Sequence, residues 1–202
     1  PMKKRLISLL LAVAMMLAVV PVSVFADETT STANSDLRIN ADGIPYKEGD
    51  TTQNINNESV SGNGWKYTPG TYSSWLDLGV DNTNYAFDLS SQPALNCEVE
   101  LYNGTISGGT FNEKISIPHD ATGACTISGG VFHGPIYFSG SNSSASLKVT
   151  GGIFTDSANG FFGQTSRVTI EGGIFVNDPG VSKYTISVLN GKIKEVSVGN
   201  TK

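Results

Sequence analysis

Four segments of this chain align without gaps over eight positions: residues 104–111 (GTISGGTF), 125–132 (CTISGGVF), 147–154 (LKVTGGIF) and 168–175 (VTIEGGIF). Their glycine pairs begin at Gly108, Gly129, Gly151 and Gly172, giving spacings of 21, 22 and 21 residues. A fixed period of this size predicts a stack of similar coils, because one such unit cannot bury its apolar face alone.

Each column has a physical reading. Ile106, Ile127, Val149 and Ile170 stand two residues before the glycine pair, and Gly104, Cys125, Leu147 and Val168 stand two residues earlier. Thr105, Thr126, Lys148 and Thr169 lie between these columns, and such period-two alternation of apolar and polar residues marks a strand. The pairs Gly108-Gly109, Gly129-Gly130, Gly151-Gly152 and Gly172-Gly173 then turn the chain, since a corner needing positive φ or close backbone contact is easiest without a Cβ. Phe111, Phe132, Phe154 and Phe175 follow, and at a strand spacing of about 4.8 Å their rings should stack in the core.

A second strand per coil is expected in residues 114–118 (KISIP), 135–139 (PIYFS) and 160–163 (GFFG), with Ile115, Ile117, Ile136 and Phe138 facing inward. Two or three strands in about 21 residues leave no room for a helix. Coils that return to the same sheet one layer higher pair in parallel, and such crossovers are right-handed. The predicted fold is all-β: a short right-handed parallel β-helix. A leucine-rich horseshoe has a similar period, but its leucine signature is missing.

Open ends of such a stack need caps. At the C-terminal end, residues 183–189 and 192–198 alternate around Asn190-Gly191, a hairpin signal. At the N-terminal end, residues 64–67 and 74–78 flank Thr68-Pro69-Gly70, which should bring Trp65 and Trp75 together. Residues 86–89 and 97–102 complete the first coils. Ile44 and Tyr46 mark an edge segment, with Pro45 keeping it off a central strand.

The N-terminal 26 residues read as a signal peptide: Lys3, Lys4 and Arg5 precede an apolar run, and Val24 and Ala26 set a cleavage site. Export leaves residues 27–202 and removes three of the 13 basic residues but none of the 18 acidic ones, so the net charge moves from -5 to -8. Nucleic acid is an unfavourable partner for such a chain, and no later apolar run is long enough to span a bilayer. Pro1 ahead of Met2 suggests a reading frame that starts upstream of the initiator, and no wall-sorting motif is visible at the C-terminal end. Residues 27–35 should be a disordered leader. Residues 36–95 hold a polar segment, the capping hairpin and the first coil, residues 96–182 the repeats, and residues 183–202 the second cap.

The repeat columns carry no catalytic cluster. The column before the glycines holds Ser107, Ser128, Thr150 and Glu171, so it brings no two carboxylates together, although glycoside hydrolysis needs such a pair. Asp156 and Asp178 read as turn residues, with weak Ca²⁺ ligation as the sharper alternative. His119 and His133 belong to no metal-ligand spacing. No cofactor is expected. Cys97 and Cys125 are 28 residues apart, one coil plus about seven, so two buried thiols are favoured over a disulfide.

The candidates for recognition are Trp65, Tyr67, Tyr72 and Trp75, whose rings can either cover the open end of the core or stack on a sugar. Tyr72, in the turn, is the ring expected to be exposed.

Three pieces of the chain carry a resemblance: residues 61–67 (SGNGWKY), the Gly-Gly-x-Phe corners, and residues 172–198. With these the chain resembles the repeat-bearing secreted surface proteins of Gram-positive gut bacteria that are termed pectin-lyase-like or carbohydrate-binding-domain-containing. The resemblance implies an extracellular or cell-surface location and a glycan or host-surface ligand. Together with export and the missing clusters, it points to a non-enzymatic glycan-binding, adhesin or spacer module, monomeric by expectation. The competing reading is a polysaccharide lyase or hydrolase of this fold using Asp156, Glu171 or Asp178, or a structural fragment of a longer surface protein.

Overall fold

The computed structural model describes residues 32–33, 36–138, 144–155, 167–177, 192–193 and 197–200. Every element among them is a β-strand. The chain opens with β1 (Thr32–Ala33), a hairpin of β2 (Leu37–Ile39) and β3 (Pro45–Lys47), and the strands β4 (Val60–Gly62), β5 (Trp65–Thr68), β6 (Trp75–Leu78) and β7 (Tyr85–Asp88). The coils follow as β8 (Glu98–Leu101), β9 (Gly104–Gly108), β10 (Thr110–Phe111), β11 (Ile115–Ile117), β12 (Ala124–Ile127), β13 (Val131–Phe132) and β14 (Ile136–Phe138). The last are β15 (Ser146–Val149), β16 (Ile153–Phe154), β17 (Val168–Ile170), β18 (Ile174–Asn177), β19 (Lys192–Ile193) and β20 (Ser197–Asn200).

These strands build a parallel β-solenoid with three faces. The first sheet runs β1-β7-β9-β12-β15-β17-β19, the second β10-β13-β16-β18-β20 and the third β14-β11-β8-β6-β5-β4. Register follows the repeat: Ile106 pairs with Ile127, Ile127 with Val149, and Val149 with Ile170. All four are fully buried. The alternation read from the sequence is therefore an inward ladder, with Thr105, Thr126, Lys148 and Thr169 on the outer face.

The corners join the first sheet to the second, and the two glycines of each pair are needed for different reasons. A Cβ at Gly129, Gly151 or Gly172 would overlap the carbonyl oxygen of Ser107, Ser128 or Thr150 in the preceding coil, so the first glycine permits close stacking. Gly152, the second of its pair, has φ +103°, which side chains strongly disfavour. Beyond the corner Phe111 stacks on Phe132 at 5.1 Å between ring centroids and Phe132 on Phe154 at 5.0 Å, with interplanar angles of 8° and 13°. Phe175 continues the column in backbone register, opposite Phe154.

The second strand of each coil appears as β11 and β14, paired Ile115 to Ile136 and Ile117 to Phe138, and residues 160–163 lie outside the described residues. The expected N-terminal hairpin is β5 and β6, which extend the third sheet in antiparallel fashion. Its register corrects one expectation. Trp65 pairs with Leu78 and Trp75 with Thr68, so the two indoles stand at opposite ends of the hairpin and, three residues apart along the ladder, on opposite faces. Trp65 is wholly buried at the open end of the core, where its indole N–H donates to Asp36 at 2.8 Å.

One further segment differs from expectation. Thr32 and Ala33 fall in the segment expected to be disordered, yet they pair in parallel with Tyr85 and Ala86. Strand β1 covers the edge that β7 would otherwise leave open, and an open strand edge binds backbone without needing apolar side chains. At the other end, the first arm of the expected hairpin, residues 183–189, lies outside the described residues. The described parts of its second arm pair in parallel with the preceding coil: Ile193 opposite Ile170, and Val198 opposite Phe175. Strands β19 and β20 thus continue the parallel stack beyond β17 and β18.

Both cysteines are free and buried, in agreement with the thiol reading, and burial pushes each thiol up to about 12. Cys125 donates to the Leu101 carbonyl at 3.3 Å.

Candidate functional site

The four candidate aromatics divide into two pairs. Trp65 and Tyr67 point inward and are 0% and 2% exposed. Tyr67 donates its hydroxyl to Asn57, and burial raises it above the usual phenol range. These two rings are cap, closed to a ligand. Tyr72 is completely exposed in the turn between β5 and β6, and Trp75 is 38% exposed at the start of β6. The parity of the strand explains the division: Leu76 and Leu78 face the core, so Trp75 and Asp77 face out.

Outer-face residues of the third sheet form two rows. The first contains Thr68, Trp75, Glu98 and Lys114. Lys114 pairs with Glu98 at 2.6 Å. Burial of Glu98 works to raise its carboxyl, but hydrogen bonds from Lys114, Ser73 and Trp75, with the Lys114 charge, hold it below the usual range. Glu98 therefore orients the Trp75 indole while its ring stays partly open to solvent. Beside this row lies a groove of about 340 Å³ lined by Gly70, Tyr72, Ser74, Asn96, Glu98 and Glu113, among others.

The second row is Lys66, Asp77, Glu100, Ser116 and Tyr137, on five adjacent strands. Asp77 is pushed up to about 6, first by burial and then by the charge of Glu100, with Asp120 adding to the rise and Lys66 opposing it. Glu100 accepts a hydrogen bond from the Tyr102 hydroxyl at 3.1 Å, and burial together with Glu100 raises that phenol. Sequence reasoning centred on the glycine columns missed this row. The signal was present: Trp75 and Glu98, like Asp77 and Glu100, are 23 residues apart, one coil, although no glycine pair marks β6 or β8.

A second concavity, a trough of about 770 Å³, follows the corners and is floored by the glycine pairs. Thr150 and Glu171 stand on one wall, Ile153 and Ile174 on the other. The glycines are already required by backbone stacking and positive φ, so the trough is a by-product of the corner. Glu171 is paired with Lys148 at 3.1 Å, and Asp156 and Asp178 lie outside the described residues. His133 Nδ1 lies 2.6 Å from the Thr155 hydroxyl. Among the described residues no group of three or more His, Cys, Asp or Glu is arranged to hold a metal ion.

No protein-family model matches the chain, and neither a curated protein nor a solved structure matches it significantly.

Proposed function

We propose that this protein is an exported, non-enzymatic module that binds glycan through the outer face of its third sheet. One observation carries the reading: Tyr72 and Trp75 present open rings on a hairpin fixed to the solenoid, beside half-buried carboxylates. Aromatic rings stack on the apolar faces of sugars while neighbouring carboxylates accept hydrogen bonds from hydroxyls. The signal-peptide pattern of residues 1–26 and the resemblance to secreted pectin-lyase-like surface proteins support an extracellular or cell-surface setting, where the module would act as adhesin or spacer.

A glycan array with purified protein, followed by titration of the best oligosaccharide, tests this reading. Binding that weakens at least about tenfold in Tyr72→Ala and Trp75→Ala is expected, the loss of one stacking contact being worth on the order of 1.4 kcal/mol. An array without hits, together with bond cleavage of a polysaccharide, would overturn it.

The enzyme reading gains one specific observation, the opposed carboxylates Asp77 and Glu100, of which Asp77 is raised to about 6. Pairs whose environments differ are the raw material of acid–base catalysis. Release of reducing ends from polysaccharide that stops in both Asp77→Asn and Glu100→Gln would favour it.

A further inference from the structure

The second row of the third sheet carries negative charge that its surroundings do not balance. Asp77 on β6 stands directly opposite Glu100 on β8, and like charges placed so in a sheet are destabilising. Asp120 adds a further negative charge at Asp77. Lys66, opposite Asp77 on β5, is exposed and only partly offsets this, while Lys114 is engaged with Glu98 in the other row.

A separate observation falls in the same row. Ser116 lies between Glu100 and Tyr137 in the register and points outward, because Ile115 and Ile117 on either side of it face the core. It is nevertheless only 6% exposed, and among the described residues its hydroxyl has no hydrogen-bond partner. Buried hydroxyls ordinarily find one. The row thus offers two carboxylates that Lys66 and the Tyr102 hydroxyl compensate only in part, and an unpartnered oxygen, to one incoming group. That group should carry positive charge and several hydrogens to donate. A primary ammonium has three donors and no acceptor.

We propose that Asp77, Glu100 and Ser116 form a subsite for the charged amine of an amino sugar whose ring stacks on Trp75 in the neighbouring row. The inference rests on the glycan reading above and narrows it to a cationic sugar. A metal ion fits less well, since no three metal-ligating side chains converge among the described residues. A lysine-bearing peptide would satisfy the carboxylates but leave the exposed rings of Trp75 and Tyr72 without their natural complement.

The test is calorimetric titration of the full chain with a glucosamine hexamer, an N-acetylglucosamine hexamer and trilysine, at a pH where the amine is protonated and most Asp77 ionised. The glucosamine hexamer should bind at least about tenfold more tightly than the acetylated one, the scale of one charge-assisted contact, and trilysine should not bind. Asp77→Asn, Glu100→Gln and Ser116→Ala should each reduce that preference, with thermal midpoints no lower than wild type for Asp77→Asn. Equal affinity for both hexamers, trilysine binding as tight as the sugar, or an unchanged preference in Asp77→Asn and Glu100→Gln would overturn the subsite. If the hexamers bind equally and Trp75→Ala abolishes both, the subsite falls while the glycan reading stands. Binding of neither hexamer overturns the subsite too, and an array without hits then removes the wider reading as well.

Discussion

Phe132 lies with its ring 5.1 Å from that of Phe111 and within 8° of parallel, one coil above it. Both are buried, so each ring is held by its neighbours above and below rather than by its own coil alone. Phe132→Ala should cost about 3 to 5 kcal/mol in chemical denaturation, with a smaller loss, under about 1.5 kcal/mol, for Phe132→Leu. Equal losses for the two substitutions would show that the stacked geometry contributes little.

The glycine pair makes a separate claim. Gly151→Ala places a Cβ on the Ser128 carbonyl oxygen of the preceding coil, a backbone atom that cannot swing away. Overpacking of this kind costs about 1 to 3 kcal/mol. Gly152→Ala should destabilise through its φ of +103° instead. Urea melts of both variants with unchanged midpoints would contradict the corner's role.

These columns were legible in the sequence because two periods coincide: alternation along the strand and 21 or 22 residues between coils. Where the markers fade, so does the reading. Val198 stands opposite Phe175 with no Gly-Gly-x-Phe in its stretch of sequence, so this coil carried no marker. The parallel pairing of Ile193 with Ile170 shows that hydrophobic register decides there. Trp65 and Trp75 could not be separated by composition, because the inward face depends on the parity set by Leu76 and Leu78 against the core. Asp77 and Glu100 were one coil apart but lay outside the marked columns.

Asp36 anchors the N-terminal cap. Its carboxylate accepts from the Trp65 indole at 2.8 Å and from the Asn63 N–H at 3.0 Å. Asp36→Ala leaves a fully buried indole N–H unpaired, at a cost of about 1 to 3 kcal/mol. Trp65 fluorescence should report the lost contact at a lower denaturant concentration than in wild type. An unchanged midpoint would mean that packing alone holds the cap.

Asp77 sets the direction of a pH effect. Its folded carboxyl sits near 6, above the ordinary 3.8, so the native state holds a proton that the unfolded chain releases. The stabilising protonated form is lost as pH rises from about 4 through about 6. Thermal midpoints should therefore fall over that window, and Asp77→Asn should flatten the profile and raise stability at neutral pH. The side chain is half exposed, so solvent screening makes the change smaller than full linkage would give. A profile unaltered by Asp77→Asn would exclude this residue as its source.

The most direct measurement of the central claim is equilibrium binding of an array-selected oligosaccharide to wild type, Trp75→Ala and Ile153→Ser. The sheet face predicts an affinity reduced at least about tenfold in Trp75→Ala and unchanged in Ile153→Ser, which alters only the corner trough. Unimpaired binding in Trp75→Ala, with loss in Ile153→Ser, would move the site to the corners and contradict the account.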